Sequence, residues 1–303
     1  MAAPRATVAP AAVPALSSRA RQVVADYVTL TKPKVQSLLL LTTVASMEIA
    51  GDPSAWLVVA TCIGGYLSAG GAGAVNHWFD RDIDARMKRT ATRPIPAGRV
   101  APAAALWFGI ALSALSFVWL STTVNVLAAA LALGGFLGYV FVYTVWLKRR
   151  TPQNIVIGGA AGAVPPLVGW AAVTGGLDLT ALYLFAIIFF WTPPHFWALS
   201  LLMKDDYARV GVPMLPVVRG EDETRRQILL YTVLLFVLSF LPACAGLFGP
   251  LYHVFAWLLN LVFIGLAVVL YRRADRRAAL RTYLFSLAYL AALFAVMVVD
   301  VKV

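Results

Sequence analysis

The chain has 303 residues, of which 61% are hydrophobic and 13% are charged. This composition excludes an ordinary soluble domain and indicates a polytopic membrane protein. The formal net charge of +11 could suggest a nucleic-acid partner. The basic residues, however, lie between apolar stretches in a pattern that membrane topology explains, so we expect no nucleic acid.

Residues 1–25 are rich in Ala and Pro and contain no acidic residue. This composition predicts a disordered N-terminal tail, with a transit-like segment as the alternative. Residues 26–303 are then predicted to form one transmembrane domain.

Apolar stretches close to the roughly 20 residues that cross a bilayer recur along the rest of the chain. They lie at about 35–50, 56–75, 103–120, 124–147, 155–174, 180–202, 228–248, 251–271 and 282–299. The sequence therefore predicts an all-α protein with nine transmembrane helices. Glycine and proline in the fifth and sixth stretches predict close helix approach, a break or a kink.

The connections after predicted spans one, three, five and seven contain no Lys or Arg. The N-terminal segment and the other inner connections hold 24 of the 25 basic residues, all but Lys302. By the positive-inside rule the N-terminus is cytoplasmic, the C-terminus is external and the number of spans is odd. We therefore expect the two long polar loops, and with them the functional surface, on the cytoplasmic side of the lipid bilayer.

The first long loop, 76–100, begins with carboxylates at the edge of the second span. Asn76, Asp80 and Asp84 recur at four-residue spacing, which places them on one face if the stretch is helical. Their oxygens suit Mg²⁺, which takes one or two carboxylates together with the oxygens of a bound phosphate. The alternative is a solvated loop whose acids are neutralised by neighbouring bases.

Four basic residues follow this acidic run, namely Arg86, Lys88, Arg89 and Arg93. Acids alone would favour a metal, and bases alone would favour an anion. Both together favour a metal-bound diphosphate, whose charge needs a bridging cation and direct contacts from Arg or Lys.

The second long loop, 204–227, contains a further polar motif made of Lys204, Asp205, Asp206, Tyr207 and Arg209. Asp205 and Asp206 are its best candidates for a functional role, because they lie just beyond a helix end on the same side as the first motif. An ordinary solvated loop of mixed charge is the alternative.

His195 lies inside the sixth predicted span, about two turns from its inner end. An ionisable residue inside a membrane is a functional candidate, because its imidazole can bind a metal or carry a proton. The alternative is a histidine that packs and forms hydrogen bonds.

Taken together, these motifs resemble the protohaem IX farnesyltransferase (haem O synthase) branch of the UbiA-type intramembrane prenyltransferases. The resemblance covers about residues 27–299. It is carried by Asn76-x3-Asp80-x-Asp82-x-Asp84, Arg86-Met87-Lys88-Arg89-Thr90-x2-Arg93-Pro94, Thr192-Pro193-Pro194-His195-Phe196-Trp197 and Lys204-Asp205-Asp206-Tyr207-x3-Gly211-Val212-Pro213-Met214-Leu215-Pro216. The first run indicates the superfamily, and the His195 segment and the last run point to the haem branch.

The resemblance implies a UbiA-type bundle that transfers a farnesyl group from farnesyl diphosphate to a vinyl group of haem B, giving haem O. The residues predicted for catalysis are Asn76, Asp80, Asp84, Arg89, Arg93 and His195, with Asn76, Asp80 and Asp84 as Mg²⁺ ligands and His195 at the haem site. The residues predicted to bind substrate are Arg86, Lys88, Lys204, Asp205, Asp206, Tyr207 and Arg209. A haem A synthase is a candidate partner.

Two rival functions share some of these features. A prenyltransferase acting on an aromatic or quinone precursor has the first motif, but Met203 and Tyr207 occupy the aspartate positions of its second motif. A transporter would place charges at the midplane of its spans, whereas here the acids cluster at one membrane edge. The expected location is the bacterial inner membrane, with the mitochondrial inner membrane as the alternative.

Overall fold

The computed structural model describes residues 16–303, except for the side chains of residues 16, 17, 243 and 244. Every regular element in this range is helical, which confirms the all-α prediction. The helices are α1 (Leu16–Leu30), α2 (Pro33–Ala50), α3 (Ala55–Phe79), α4 (Arg81–Asp84), α5 (Pro102–Thr123), α6 (Val126–Leu137, continued by a π-helix at Gly138–Leu147), α7 (Asn154–Gly162), α8 (Val164–Thr174), α9 (Leu179–Leu202), α10 (Lys204–Arg209), α11 (Leu215–Val218), α12 (Gly220–Leu238), α13 (Leu241–Ala245), α14 (Pro250–Arg273) and α15 (Arg276–Lys302).

Seven helical segments of the described chain are long and apolar enough to cross a membrane. They are Ala55–Phe79, Pro102–Thr123, Val126–Leu147, Asn154–Thr174, Leu179–Leu202, Pro250–Arg273 and Arg276–Lys302. The first predicted span coincides with α2, but the seventh, 228–248, is divided between the second half of α12, which ends at Leu238, and the short α13. Both α2 and α12 are less apolar than the seven segments. Lys34 and Glu48 lie within α2, and α12 begins with several charged residues.

The predicted disordered tail lies mostly outside the described residues, which begin at 16. Its last ten residues, 16–25, are helical in α1, and this differs from the prediction. The inner end of α1 is anchored, because the Asp26 carboxylate accepts from Nε of Arg99 at 3.0 Å. The Tyr27 ring also meets Phe108 edge-on, with 4.9 Å between the ring centroids.

Proline affects the fifth and sixth predicted spans differently. The fifth is divided at Ala163 into α7 and α8, just before Pro165 and Pro166, which have no N–H to donate. Next to this break, the Ser46 hydroxyl of α2 donates to the Pro166 carbonyl at 2.7 Å. The sixth span runs unbroken as α9 through its two prolines.

The two long loops pack on each other at one end of the bundle. Ile83 and Met87 of the first loop are buried in one cluster with Tyr207, Val210 and Leu215 of the second. This shared cluster brings both polar motifs to the same end, in agreement with the prediction that they lie on one side of the membrane.

Small residues allow α3 and α5 to approach closely. A Cβ atom added at Gly71 of α3 would lie 2.6 Å from the carbonyl oxygen of Gly109 in α5, and the converse distance would be 2.8 Å. Small residues commonly make such contacts between membrane helices. Through this contact α5 supports α3, whose inner end carries the first motif.

We predict that Gly109→Ala destabilises the protein by about 2 kcal/mol, because the added methyl group must push α5 away from α3. Gly134→Ala is the matched control, since a Cβ there would meet no atom within 4 Å. Thermal unfolding of the detergent-purified variants is the measurement. Equal melting temperatures for the two variants would contradict the close contact.

Candidate active site

The first motif keeps helical spacing beyond the end of α3. The backbone N–H of Asp80 donates to the Asn76 carbonyl at 2.9 Å, and that of Asp84 donates to the Asp80 carbonyl at 2.8 Å. The helical turn therefore continues from α3 into α4. Asn76, Asp80 and Asp84 lie on one face, as the sequence predicts, and all three are buried.

The Asp80 side chain is surrounded by donors. Asp80 is 0% exposed, and its carboxylate forms an ion pair with Lys148. Nδ2 of Asn76 donates to it at 2.8 Å, and Nη2 of Arg149 lies 3.5 Å away. Since burying a carboxylate is costly unless it is paired, the basic segment after the fourth predicted span belongs to this site.

Asp84 is paired with the basic run of its own loop. Its Oδ2 accepts from Nη1 of Arg93 at 2.6 Å. Its carbonyl accepts from the Thr90 hydroxyl at 2.9 Å, and this bond closes the loop back on the motif. Arg93 therefore lies beside a predicted metal ligand, as expected for a residue of the diphosphate site.

Asp82 has a different environment, with its side chain 54% exposed. Its two carboxylate oxygens accept from Nη1 and Nη2 of Arg149 at 2.8 and 2.7 Å. These hydrogen bonds hold the pKa of the Asp82 carboxyl below its usual value. Asp82 thus fixes Arg149 beside Asp80.

Lys32, between α1 and α2, reaches the motif from a distant part of the chain. Its Nζ donates to Oδ1 of Asn76 at 2.6 Å and to the Tyr139 hydroxyl at 3.3 Å. Burial lowers the pKa of Lys32 to about 7, and repulsion from Arg93 acts in the same direction. A negatively charged ligand beside this amine would favour its protonated form.

The donor set fits Mg²⁺ when a phosphate completes the shell. Within residues 16–303, no three His, Cys, Asp or Glu side chains are gathered into a metal-binding group. Asp80, Asp84 and Asn76 nevertheless offer hard oxygen atoms, and Mg²⁺ typically takes one or two carboxylates, with water and substrate phosphate as further ligands. Asp80 and Asp84 would hold the ion, with Asn76 beside them.

The other predicted bases of the first loop lie at the surface. Arg86, Lys88 and Arg89 are exposed. Nε of Arg86 donates to the Asp82 carbonyl at 3.4 Å, but none of the three forms an ion pair within the described chain. Their charge therefore remains available to an anion.

The second motif makes local ion pairs. Lys204 donates to Glu221 at 3.0 Å, and Arg209 donates to Asp206 at 3.0 Å. Asp205 is exposed. No ion pair among the described residues joins this motif to the first one, so apolar contacts bring the two loops together.

Tyr207 is the most buried member of the second motif, with 5% of the residue exposed. It shares a hydrophobic cluster with Ile83 and Met87 of the first loop. Burial raises the pKa of Tyr207 to about 12, so the side chain stays a neutral phenol. It can donate a hydrogen bond near the first motif but brings no charge.

His195 contacts α15 and is oriented by it. Its ring stacks on Trp191 and on Tyr283, with centroid distances of 4.3 and 5.1 Å. Nδ1 lies 2.7 Å from the Ser286 hydroxyl, which donates its own hydrogen to the Tyr283 carbonyl at 2.6 Å. The hydroxyl must therefore accept from Nδ1–H, which leaves Nε2 with a free lone pair and no hydrogen bond in the described structure.

Sequence motifs do not single out five residues that the structure adds to the site: Lys32, Tyr139, Thr144, Lys148 and Arg149. Thr144 accepts from Nδ2 of Asn76 at 3.2 Å. Lys148 and Arg149 are visible in the sequence as topology-determining charges at the end of a span. Lys32 is visible as a base directly before Pro33, yet nothing local indicates that either segment reaches Asn76 or Asp80.

Two solved structures share the fold. A structure reported for digeranylgeranylglyceryl phosphate synthase has a TM-score of 0.74 and 20% identity, covering 92% of this chain and 99% of that one. A UbiA homologue from Archaeoglobus fulgidus, bound to GPP and Mg²⁺, has a TM-score of 0.66 and 15% identity, covering 90% of this chain and 99% of that one.

Curated relatives are much more similar in sequence. The protoheme IX farnesyltransferase of Chloroflexus aurantiacus is 56% identical over 282 residues, which are 92% of this chain and 48% of that protein. The protoheme IX farnesyltransferase of Symbiobacterium thermophilum is 55% identical over 284 residues, which are 92% of this chain and 95% of that protein. The chain thus spans about half the length of the first curated relatives that it matches and nearly all of the Symbiobacterium protein.

The model of the UbiA prenyltransferase family matches residues 39–293, which include the first motif, His195 and the second motif. The matched region also contains all of α3 to α14, which carry most of the contacts described above. With a family match over most of its length and relatives more than half identical to it, this chain belongs to the UbiA prenyltransferase family.

Proposed function

We propose that this protein transfers a farnesyl group from farnesyl diphosphate to a vinyl group of haem B, giving haem O, a step towards haem A. The observation that carries the proposal is the buried pair Asp80 and Asp84, each neutralised by a base, in a member of a prenyltransferase family. Relatives from 52% to 56% identical, named protoheme IX farnesyltransferase, support haem as the acceptor.

The donor half of the site is proposed at the first motif. Asp80, Asp84 and Asn76 would hold Mg²⁺, which when bound supplies electrostatic stabilisation to a departing diphosphate. In the structure Lys148 and Arg93 neutralise the two carboxylates. With the carboxylates engaged by the cation, both bases can turn to the diphosphate oxygens, where negative charge develops as the allylic bond breaks.

Further bases extend this donor site. The Lys32 ammonium donates to Asn76 and Tyr139. It can therefore contact the diphosphate in addition to Lys148 and Arg93. The exposed Arg86, Lys88 and Arg89 make the approach to the motif positive, which favours an anionic substrate. Lys204, Asp205, Asp206, Tyr207 and Arg209 remain predicted substrate-binding residues.

The acceptor half is proposed at His195. The flat rings of Trp191 and Tyr283 suit a porphyrin, and the free Nε2 lone pair suits the haem iron. The terminal vinyl carbon of the haem bonds to the farnesyl carbon from which diphosphate departs. Water then adds to the cation left beside the ring and loses a proton, which gives the hydroxyethylfarnesyl group.

We further propose that α2 and α12 complete the seven apolar helices to nine crossings, with a cytoplasmic N-terminus. The charge pattern of the loops supports this topology. Bacterial relatives support the inner membrane of a bacterium as the location. A haem A synthase that takes up the product remains a candidate partner.

The first prediction from the proposed function concerns the carboxylates. Asp80→Asn or Asp84→Asn should reduce farnesyl transfer on the order of a hundredfold, because each removes a charge that holds the metal-bound diphosphate. The measurement is haem O formation from haem B and labelled farnesyl diphosphate in membranes, with the product identified by mass. Asp82→Asn is the matched control and should stay within about tenfold of wild type, since Asp82 is exposed and contacts the site through Arg149. Near-normal turnover of the Asp80 and Asp84 variants at saturating Mg²⁺ would remove the metal-ligand role.

The second prediction concerns topology. Reporters fused after Arg93 and after Arg219 should both be cytoplasmic, and one fused after Asp178 should be external, because the inner loops carry the basic residues. Activity of paired cytoplasmic and periplasmic reporters at each site is the measurement. Opposite locations for Arg93 and Arg219 would contradict an active site built from both loops on one side.

The third prediction is that His195 serves the haem acceptor. His195→Ala should weaken haem binding with little change in affinity for farnesyl diphosphate, because its ring contacts α15 and none of the first-motif residues. Separate titration of the two substrates against purified protein is the measurement, since KM would mix binding with turnover. His253→Ala, which removes the histidine of α14, is the control. Normal haem binding with loss of farnesyl diphosphate binding would move His195 to the donor half.

A further inference from the structure

A polar cavity of about 270 Å³ opens at the inner end of α12, outside the site described above. Three of its lining residues, Glu223, Gln227 and Tyr231, follow one another at four-residue spacing on one face of α12, and Arg219 directly precedes the helix. Gln153, Trp197 and Leu215 supply the opposite wall. The cavity therefore lies between the start of α7, the end of α9 and the first turns of α12.

The Trp197 indole provides a donor that lacks an acceptor. The residue is 2% exposed, and its Nε1–H has no hydrogen-bond partner within the described structure. A buried polar group without a partner is costly, so such a group commonly has a bound acceptor. The ring itself is fixed, because it meets Tyr231 edge-on at 5.2 Å between centroids.

The cavity lining holds one cation, the exposed Arg219, and one carboxylate, Glu223. Glu223 is already compensated, since it accepts from Arg226 at 3.2 Å and from Gln227 at 2.7 Å. The Arg219 guanidinium forms neither an ion pair nor a hydrogen bond among the described residues. One unpaired cation and one unpaired N–H donor match an anionic group with a single negative charge.

The surroundings of the cavity indicate an apolar tail on that anion. Ile157 lies one turn beyond Gln153 on α7 and is 48% exposed, and Leu230 and Leu234 lie beside Tyr231 on α12 and are 48% and 42% exposed. On each helix these residues lie further from the helix start than the cavity residues Gln153 and Gln227. Trp and Tyr rings commonly lie at this level of a bilayer, where lipid head groups begin.

We propose that this cavity binds the phosphate of an anionic phospholipid of the same leaflet, with Arg219 and the Trp197 N–H as its donors. A phosphodiester carries one negative charge and therefore matches the single free cation. A diphosphate carries more charge and is better served by the several bases around the first motif. Basic pockets between membrane helices on the cytoplasmic side bind lipid head groups in this way. The proposal does not depend on which reaction the protein catalyses.

The experiment is titration of the full-length detergent-purified protein with dioleoyl phosphatidylglycerol, followed by native mass spectrometry. Arg219→Gln removes the charge, and Trp197→Phe removes the N–H while keeping a ring against Tyr231. Each should weaken lipid binding roughly tenfold, the effect of losing one charge-assisted hydrogen bond. Arg273→Gln, which removes an exposed charge at the inner end of α14, should bind the lipid like wild type.

Two competitors identify the source of the phosphate. Neither glycerol 3-phosphate, which lacks acyl chains, nor farnesyl diphosphate should displace the lipid at equal concentration. Displacement by glycerol 3-phosphate would assign the cavity to a free phosphate ester, and displacement by farnesyl diphosphate would assign it to the prenyl donor. Either result, or wild-type lipid affinity in both Arg219→Gln and Trp197→Phe, would overturn the proposal.

Discussion

The geometry of the candidate active site depends on pairing the fully buried Asp80 carboxylate with basic side chains. An unpaired buried carboxylate costs several kcal/mol, roughly as much as a whole domain gains on folding. Lys148 and Arg149 offset this cost. Because both bases follow the fourth predicted span, the inner end of that span must meet the inner end of α3. The close contact of α3 with α5 supports α3 at a separate position.

The charges that stabilise this part of the fold are the same ones that would serve in the proposed binding of a metal and a diphosphate. Asn76 accepts from Lys32 and donates to Asp80, so it joins the α1–α2 connection to the carboxylate through one amide group. Arg93 and Lys148 neutralise carboxylates that would also hold a cation. If a metal takes the place of the two bases at the carboxylates, and a diphosphate then pairs with those bases, the charges are balanced both before and after binding. In the proposed site, binding of a metal-diphosphate pair would require the Arg93 and Lys148 side chains to turn from the carboxylates to the diphosphate.

Local patterns in the sequence predict much of this arrangement. Four-residue spacing correctly places Asn76, Asp80 and Asp84 on one face, because the helical turn continues through the helix end. The pattern fails where a contact joins segments that are far apart in the chain. Lys32 lies 44 residues before Asn76, and Lys148 lies 68 residues after Asp80. No periodicity links such positions, since helix packing alone decides which basic residue reaches which acid. The composition predicts a disordered tail that includes residues 16–25, but these are helical in α1, whose later residue Asp26 is held by Arg99 of a different loop.

α9 separates two polar environments that the sequence brings within two residues of each other. Two residues turn a helix by roughly 200°, so His195 and Trp197 lie on nearly opposite faces. His195 contacts Ser286 of α15, and Trp197 contacts Tyr231 of α12. A porphyrin on the first face and a lipid head group on the second would therefore not compete for space. The two ligands would also not share a cation. The lipid phosphate would pair with Arg219, which is separate from the bases around the first motif. The excess of 25 basic over 14 acidic residues would then have two uses: it would set the proposed cytoplasmic side of the loops, and it would leave cations available to anions at the two proposed sites.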